Sequence, residues 1–328
     1  MQLVLNTPGL ALRVRGGAFE AVAGDQRRPI SPEQISSIAV TAGCMLSSAA
    51  IELAASAEIP IYIFDETGDA VACMRSPYFE SLATLRRKQV YFSDAPEGGA
   101  WVLEQFKLKT GHQIEMLEHL AERRPAQKEV LQQKAELLVA EVGDLDALEN
   151  RPVREWRDEL MGWEGNQART YWQALSDAMP EAWRFEKRSR RPALDPFNAV
   201  INYHYGMLYG VVEQALFAAG LDPHLGILHV DEYDRPTLAF DLIEPFRPWI
   251  DRLVVDLFLD HKVEIAFFDD RNPGFFLNAA GKRLFIPAFN EWMSREVRWR
   301  NMQLDRTAQI FRSAAELARY IDETMQRP

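Results

Sequence analysis

The chain has 328 residues, of which 47% are hydrophobic and 26% are charged, and its formal net charge is −11 at pH 7. This length and apolar content suffice for a buried core and indicate about two domains. The first residues lack a signal-peptide pattern, and no apolar run approaches about 20 residues. Two cysteines, Cys44 and Cys73, give no disulfide framework. We therefore expect a cytoplasmic protein that is neither secreted nor membrane-spanning.

The first part of the chain, residues 1–92, has the pattern of a small mixed β-domain. Short β-like runs alternate with turns that contain glycine, proline or aspartate. One helix interrupts them at about residues 47–56, and either Ser47 or Ser48 is available as its N-cap. The predicted strands are residues 2–5, 11–15, 18–22, 35–40, 59–64 and 70–74.

The next segment, residues 93–99, reads SDAPEGG and is predicted to be a linker, because proline and paired glycines favour irregular structure. The remainder, residues 100–328, is predicted to form a larger all-helical domain. Apolar positions with a 3.6-residue period predict helices at residues 101–123 and 127–142. The expected fold class is therefore α+β, with the β-domain preceding the helical domain.

A long helix is predicted at residues 196–219, and Gly220 suits the left-handed position that follows a helix. Thr237 can cap a further helix, which contains Pro245. Because proline has no backbone N–H, Pro245 should remove a hydrogen bond to the carbonyl of Asp241 and kink this helix.

Upstream of that helix, Glu164 lies in the middle of an apolar stripe. At about 100° per residue, a group of apolar residues falls within about 80° of it. These residues are Leu160, Met161, Ala168, Tyr171, Trp172 and Leu175. An ionised carboxylate in such a place is costly without a partner. We therefore expect Glu164 to bind a cation, to pair with a base such as Arg169, or to have a raised pKa.

His229 precedes a D-x-x-E pair formed by Asp241 and Glu244. Residues three apart share a helix face, so both carboxylates can converge on one point while His229 approaches from the preceding loop. An imidazole nitrogen with carboxylate oxygens suits Mn²⁺ or Mg²⁺, and a phosphodiester is the usual substrate of such a site. Taken singly, His229 has the alternative of a core histidine. Each acid has the alternative of an interaction with the helix dipole.

The negative net charge is unusual for a protein that binds nucleic acid. Phosphate contacts are local, however, on the scale of a Debye length of about 10 Å. Two basic stretches satisfy that condition. The first contains Arg184, Lys187, Arg188, Arg190 and Arg191, and the second contains Arg295, Arg298, Arg300, Arg306 and Arg312. We predict that the first stretch follows a DNA backbone, although a solvated loop is the usual alternative. Arg247 can pair with Glu244 or contact a phosphate.

Four motifs occur in order along the chain. They are E-G at residues 164–165 before an aromatic helix, N-x-x-x-N-Y-x-Y at residues 198–205, G-L-D-P-x-x-G-x-L-H at residues 220–229, and D-x-x-E-P-F-R-P at residues 241–248. With these motifs the chain resembles the CRISPR-associated integrases that acquire new spacers, the "Cas-one" family. A D-x-x-E pair alone is weak evidence, whereas the ordered set is specific.

The resemblance implies that Glu164, His229 and Glu244 bind Mg²⁺ or Mn²⁺ and that Asp241 belongs to the same catalytic cluster. It implies that the β-domain forms a homodimer and that a small protein of the "Cas-two" family bridges dimers. The substrates would be double-stranded DNA, namely a captured fragment and a CRISPR repeat. The 3′-hydroxyl of the fragment would attack the repeat in a transesterification.

Two other interpretations use the same residues. A metal-dependent endonuclease acting on branched or single-stranded DNA shares every catalytic residue but makes no joined product. A non-catalytic DNA-binding scaffold would use the acidic cluster for structure alone. A strand-joining assay distinguishes the three.

Overall fold

A computed structural model describes most of the chain. The described residues are 2–5, 7–35, 37–40, 43–57, 59–64, 70–74, 80–148, 151–229, 235–271, 273–299 and 302–325. Arg300, which belongs to the second basic stretch, lies outside them.

The N-terminal region follows the predicted order of strands. Its elements are β1 (Gln2–Leu5), β2 (Ala11–Arg15), β3 (Ala18–Ala23), β4 (Gln26–Ile30), β5 (Ser37–Val40), β6 (Met45–Leu46), α1 (Ser48–Ser56), β7 (Ile61–Phe64) and β8 (Ala70–Met74). Ser47 is the N-cap of α1, because its hydroxyl accepts a hydrogen bond from Ala50 N at 3.1 Å. Two strands were not predicted. The arginine-rich strand β4 contains Pro29 at a sheet edge and has no apolar alternation, and β6 has just two residues.

These strands form two four-stranded sheets within the described residues. In the first, with order β1-β5-β7-β8, the first three strands are parallel and β8 is antiparallel. In the second, with order β4-β3-β2-β6, β2 to β4 are antiparallel and β6 is parallel to β2. Fully buried residues of both sheets and of α1 share one core, which includes Leu12, Phe19, Ile38, Ala54 and Ile61. This core supports the small β-domain.

The rest of the chain is mostly helical, so the predicted fold class is confirmed. Its helices are α2 (Glu80–Ser93), α3 (Pro96–Arg123), α4 (Lys128–Val142), α5 (Arg157–Ala178), α6 (Pro196–Ala218), α7 (Thr237–Leu242), α8 (Arg247–Leu259), α9 (Ala279–Ser294) and α10 (Arg306–Thr324). Two antiparallel hairpins interrupt them: β9 (Phe268–Arg271) with β10 (Gly274–Leu277), and β11 (Glu296–Trp299) with β12 (Met302–Asp305). The helical part therefore contains short strands that the prediction omitted.

Residues 93–99 do not form the predicted linker. They contain the end of α2 and the first turn of α3. Both glycines are buried, and a Cβ atom on Gly98 would lie 2.2 Å from the carbonyl oxygen of Phe92, while one on Gly99 would lie 2.4 Å from that of Arg151. The glycines thus allow close packing rather than flexibility.

The chain changes direction where the candidate site is formed. Gly220, which follows α6, has the predicted left-handed conformation with φ of 82°. The helix predicted to kink at Pro245 is divided into α7 and α8 by a 3₁₀ turn, Glu244–Phe246. Thr237 is not the N-cap of α7, because its hydroxyl donates to the carbonyl of His224 at 2.7 Å.

Across the described ranges, no helix combines the length and the apolar character that a membrane span requires.

Candidate active site

A lysine lies between two of the predicted metal ligands. Glu164 comes from α5, Glu244 from the 3₁₀ turn before α8, and Lys109 from α3. Lys109 Nζ is 2.6 Å from Glu164 Oε1 and 2.5 Å from Glu244 Oε2. In this structure Glu164 therefore pairs with a base, which is one of the three possibilities that the sequence left open for it. The base is Lys109, whereas Arg169 is exposed.

Arg247 adds a second cation beside Glu244. Its Nε lies 3.0 Å from Glu244 Oε1, and its guanidinium donates to the Tyr209 hydroxyl at 2.5 Å. Burial alone would raise the pKa of the Glu244 carboxyl, but Arg247 and Lys109 outweigh burial and hold this pKa well below its ordinary value. Burial alone would lower the pKa of Lys109, but Glu244 and Glu164 raise it above its ordinary value. We call Lys109, Glu164, Glu244 and Arg247 the charge cluster.

Asp241 fixes the position and the tautomer of His229. The Asp241 side chain is 1% exposed and accepts hydrogen bonds from the backbone N–H groups of Ile227, Leu228 and His229 at 2.7, 3.1 and 3.2 Å. Its Oδ1 also lies 2.6 Å from His229 Nδ1. A carboxylate only accepts hydrogen bonds, so Nδ1 carries a proton, and in the neutral imidazole the lone pair is then on Nε2. Asp241 therefore positions His229 and has its acceptor capacity filled by this role.

Gly226 of the G-L-D-P-x-x-G-x-L-H motif permits this arrangement. A Cβ atom at Gly226 would lie 2.3 Å from the carbonyl oxygen of His229 and 2.8 Å from Thr237 Cβ. The first neighbour belongs to the turn that carries His229, and the second belongs to the first residue of α7. A side chain at position 226 would therefore displace His229 from Asp241.

A buried aspartate, Asp251, is hydrogen-bonded to two tyrosines, one of which contacts Arg247 of the charge cluster. Asp251 of α8 is 1% exposed and accepts hydrogen bonds from the hydroxyls of Tyr205 and Tyr171 at 2.5 and 2.9 Å. Burial raises the pKa of Asp251 to about 6, although both tyrosines, Arg188 and Arg247 oppose that shift. The Arg247 guanidinium also lies over the Tyr205 ring, 5.1 Å from its centroid. Asp251 thus fixes the Tyr205 ring on which the Arg247 guanidinium packs.

The first basic stretch divides into a half-buried arginine and exposed cations. Arg188 lies between the Trp172 and Tyr205 rings, 4.9 and 5.7 Å from their centroids, and donates to the side-chain oxygens of Asn198 and Asn202. These contacts give Arg188 a structural role, and its contact with DNA stays a prediction. The exposed members of the stretch are Arg184, Lys187, Arg190 and Arg191.

The N-x-x-x-N motif explains how the exposed members are held. Asn198 Nδ2 donates to the Lys187 carbonyl at 2.9 Å, and Asn202 Nδ2 donates to the carbonyls of Ser189 and Arg190 at 2.9 and 3.0 Å. Both asparagines lie on α6, one turn apart. They fix the backbone of the basic stretch while leaving its outer side chains exposed.

The residues fit a divalent cation in donor type. Glu164 and Glu244 supply carboxylate oxygens, and His229 supplies Nε2, a set that suits Mg²⁺ or Mn²⁺. The two carboxylates already share one cation, the Lys109 ammonium. The Lys109 ammonium is thus the partner of the buried Glu244 Oε2. As the described side chains stand, no three of His, Cys, Asp or Glu form a metal-binding group. A metal ion would therefore have to displace Lys109.

A family profile described as "CRISPR associated protein Cas1" matches residues 3–291. The chain belongs to the Cas1 family. The match includes the β-domain and most of the helical part, and it confirms the resemblance inferred from the four motifs.

One curated Cas1 relative and two solved structures match this chain over nearly their whole length. "CRISPR-associated endonuclease Cas1 1" of Archaeoglobus fulgidus is 28% identical over 98% of this chain and 96% of its own. A solved casposase bound to integration product has a TM-score of 0.75 at 23% identity and covers 98% of this chain and 95% of that one. A partial Cas6-RT-Cas1–Cas2 complex has a TM-score of 0.76 at 20% identity and covers 100% of this chain and 97% of that one. At these identities the solved structures establish the Cas1 fold.

Lys109 is the main residue of this Cas1 site that the sequence did not predict. A signal for it was present, because Lys109 lies three residues after Phe106 and four before Gln113, both buried positions of α3. A lysine on the buried face of a helix needs an acidic partner in the same way as Glu164 needs a basic one.

Proposed function

We propose that this Cas1 protein is a metal-dependent DNA integrase of CRISPR adaptation. The observation that carries the proposal is that Glu164 and Glu244, from separate elements, share one cation. His229, the last residue of the motif at residues 220–229, has its tautomer fixed by a hydrogen bond to Asp241. Family membership and the likeness to a casposase bound to integration product support the same reading.

Glu164, Glu244 and His229 Nε2 would hold Mg²⁺ or Mn²⁺. When bound, such an ion supplies Lewis-acid activation of the scissile phosphate and lowers the pKa of the attacking hydroxyl. Asp241 keeps the proton on Nδ1, so that Nε2 remains a donor of electrons. Arg247 orients Glu244 and balances its charge.

The reaction would be a transesterification. The 3′-hydroxyl of a captured DNA fragment forms a bond to a phosphorus atom at the repeat boundary, and the bond from that phosphorus to the repeat strand's own oxygen breaks. The attacking oxygen loses its proton and the leaving oxygen gains one, so no oxidant or energy source is consumed. The exposed Arg184, Lys187, Arg190 and Arg191 would hold the DNA backbone beside the site.

The proposed partners are double-stranded DNA, a second copy of this chain, and a small protein of the Cas2 family. Likeness to a chain of a partial Cas6-RT-Cas1–Cas2 complex supports the Cas2 partner. Two copies are needed because one active site cannot set the distance between two joining events on opposite strands. The β-domain is the proposed dimer interface.

A strand-transfer assay tests the function. Purified protein would be mixed with Mn²⁺ or Mg²⁺, a supercoiled plasmid carrying a CRISPR repeat, and labelled duplex DNA with free 3′-hydroxyls, with and without Cas2. We expect label joined to plasmid, and we expect that His229→Ala and EDTA abolish it. His224→Ala is the matched control, since His224 is a half-exposed histidine of the preceding turn.

Two outcomes would overturn the integrase proposal. Metal-dependent nicking of the plasmid without joined label would favour the endonuclease function that the Archaeoglobus fulgidus relative's name states. Equal product from wild type and His229→Ala would remove the proposed site.

A further inference from the structure

A cavity of about 190 Å³ lies beside the candidate active site, and the charge cluster does not extend into it. It is bounded by α3, by α8, by α9 and by the β11–β12 hairpin that leads into α10. The lining residues that matter here are His112, Trp249, Arg252, Trp292, Arg298 and Arg306. His112 comes one turn after Lys109 on α3, and Trp249 follows Glu244 and Arg247 at the start of α8. The cavity therefore runs alongside the site without sharing its ligands.

Arg306 is buried in the wall of this cavity without an acidic partner among the described side chains. It is 7% exposed, its guanidinium lies over the Trp292 ring at 3.8 Å from the centroid, and it donates to the Trp292 carbonyl at 2.9 Å. The adjacent acid, Asp305, instead caps α10 by accepting from Ala308 N at 2.7 Å. Burial, followed by the nearby charges of Arg252 and Arg295, lowers the pKa of Arg306 to about 10. This arginine is thus in an environment that lacks negative charge.

Two buried donors in the same wall have no acceptor. Arg306 Nε and Trp292 Nε1 are inaccessible to water and have no hydrogen-bond partner within the described ranges. Buried polar groups normally have a hydrogen-bond partner. Two buried donors without an acceptor, one on each residue of the same cation–π contact, therefore need an explanation. An acceptor-rich ligand that shifts the flanking side chains slightly would supply the acceptors.

The charge of the lining decides the kind of ligand. Arg252, Arg298 and Arg306 supply three guanidinium groups, while Glu115 is the one carboxylate among the lining residues that the structure describes. The surplus of positive charge matches a phosphate, which has up to two negative charges, better than a single carboxylate. Guanidinium forks and an indole N–H also match the geometry of several phosphate oxygens.

We propose that this cavity binds a phosphate group, supplied either by a DNA strand that passes the active site or by a free nucleotide. In the first case the arginines would hold a phosphate away from the reacting one and so set the path of the strand. That case rests on the proposed function. Binding of inorganic phosphate or of a mononucleotide does not depend on it.

Isothermal titration calorimetry on the full chain tests the proposal. The probes are inorganic phosphate, deoxyadenosine 5′-monophosphate, deoxyadenosine as the phosphate-free control, a short single-stranded DNA, and polyglutamate as an acidic peptide. The variants are Arg252→Gln, whose side chain is exposed, and Arg306→Lys, which keeps the charge but loses the fork. Arg319→Gln is the matched control, because Arg319 is a 67% exposed arginine of α10 away from the cavity.

We expect phosphate and the monophosphate to bind, deoxyadenosine to bind at least tenfold more weakly, and both cavity variants to raise the Kd of the monophosphate at least tenfold. Arg319→Gln should change that Kd by less than twofold. If Arg306→Lys does not fold, Arg252→Gln carries the test alone. A variant effect for the mononucleotide assigns a free-nucleotide source, and an effect confined to DNA assigns the strand.

Three results would overturn the proposal: no binding of any phosphate-containing probe, equal losses in Arg252→Gln and Arg319→Gln, or variant-sensitive binding of polyglutamate alone. The last would assign the cavity to an acidic peptide. His229→Ala separates this proposal from the integrase proposal, since it should abolish strand joining and leave phosphate binding unchanged.

Discussion

The charge cluster and the arginine-lined cavity are neighbouring regions with opposite charge balance. In the cluster two carboxylates and two cations satisfy each other at 2.5 to 3.0 Å. In the cavity three arginines face one carboxylate, and two buried donors have no acceptor in the described part of the chain. The first region must release Lys109 before it accepts an external cation, whereas the lining of the second has a surplus of positive charge. Charge balance therefore distinguishes a site that is closed by its own side chain from a cavity whose lining favours an anion.

The largest effect should come from removing the acid at the centre of the cluster. Glu244→Ala leaves Lys109 and Arg247 buried without their shared anion, so we expect a loss of about 3–5 kcal/mol in the free energy of unfolding. Glu164 is a suitable comparison, because its side chain is 25% exposed against 5% for Glu244. Glu164→Ala should cost about 1 kcal/mol. Urea denaturation measures both, and equal losses would contradict the central place given to Glu244.

The next effect concerns Asp251, which supports the cluster through Tyr205. Its pKa of about 6 in the folded protein lies above the ordinary value of 3.8. The folded state therefore binds the proton more tightly than the unfolded state does. The contribution of this group is fully present below about pH 4 and is lost as the pH rises through about 6, by about 3 kcal/mol in total.

Denaturation at several pH values checks this sign. The stability of wild type relative to Asp251→Asn should fall between about pH 4 and pH 6 and then become constant. A difference that rises with pH over the same interval would show that the tyrosine and arginine contacts outweigh burial, and that Asp251 is a stabilised anion.

A third change alters the charge balance of the cluster directly. Lys109→Met removes the internal cation that competes for Glu164 and Glu244, so Mn²⁺ should bind about tenfold more tightly, which corresponds to about 1.4 kcal/mol. Calorimetric titration with Mn²⁺ measures this change. Lys128→Met is the control, since Lys128 is exposed on α4. Unchanged or weaker Mn²⁺ binding in Lys109→Met would show that the lysine does not occupy the metal position.

The smallest effects should distinguish members of the first basic stretch. Arg190→Ala removes an exposed cation, so DNA binding should weaken and the salt slope should fall by about 1 without a change in stability. Arg188→Ala removes a half-buried side chain held by Asn198 and Asn202, and should lower stability instead. A salt slope that changes in Arg188→Ala alone would reverse the two assignments.

Much of the site was predictable because its signals are local. The D-x-x-E spacing, the histidine that precedes it, the helix end at Gly220 and the break at Pro245 all follow from residues close in sequence. Two of the roles followed only from the fold. The sequence spacing placed Asp241 and Glu244 on one face of a helix. Only the structure showed that Asp241 accepts a hydrogen bond from His229 while Glu244 pairs with Lys109.

The parts that could not be predicted depend on contacts between distant segments. Lys109 and Glu164 are 55 residues apart, so helix spacing gives no indication that they meet. Arg188 and Arg190 belong to the same basic run, yet Arg188 is half-buried against Trp172 while Arg190 is exposed. Gly98 and Gly99 had the composition of a linker, but their neighbours Phe92 and Arg151 make them close-packing positions.

The central claim is that Glu164, Glu244 and His229 hold a divalent cation in place of the Lys109 ammonium. A crystal structure with Mn²⁺, recorded at the manganese absorption edge, tests it most directly. We predict an anomalous peak within about 2 Å of both carboxylates and of His229 Nε2, with Lys109 Nζ moved away from Glu244. Lys109 still placed between the two carboxylates, with manganese absent or bound elsewhere, would contradict the account.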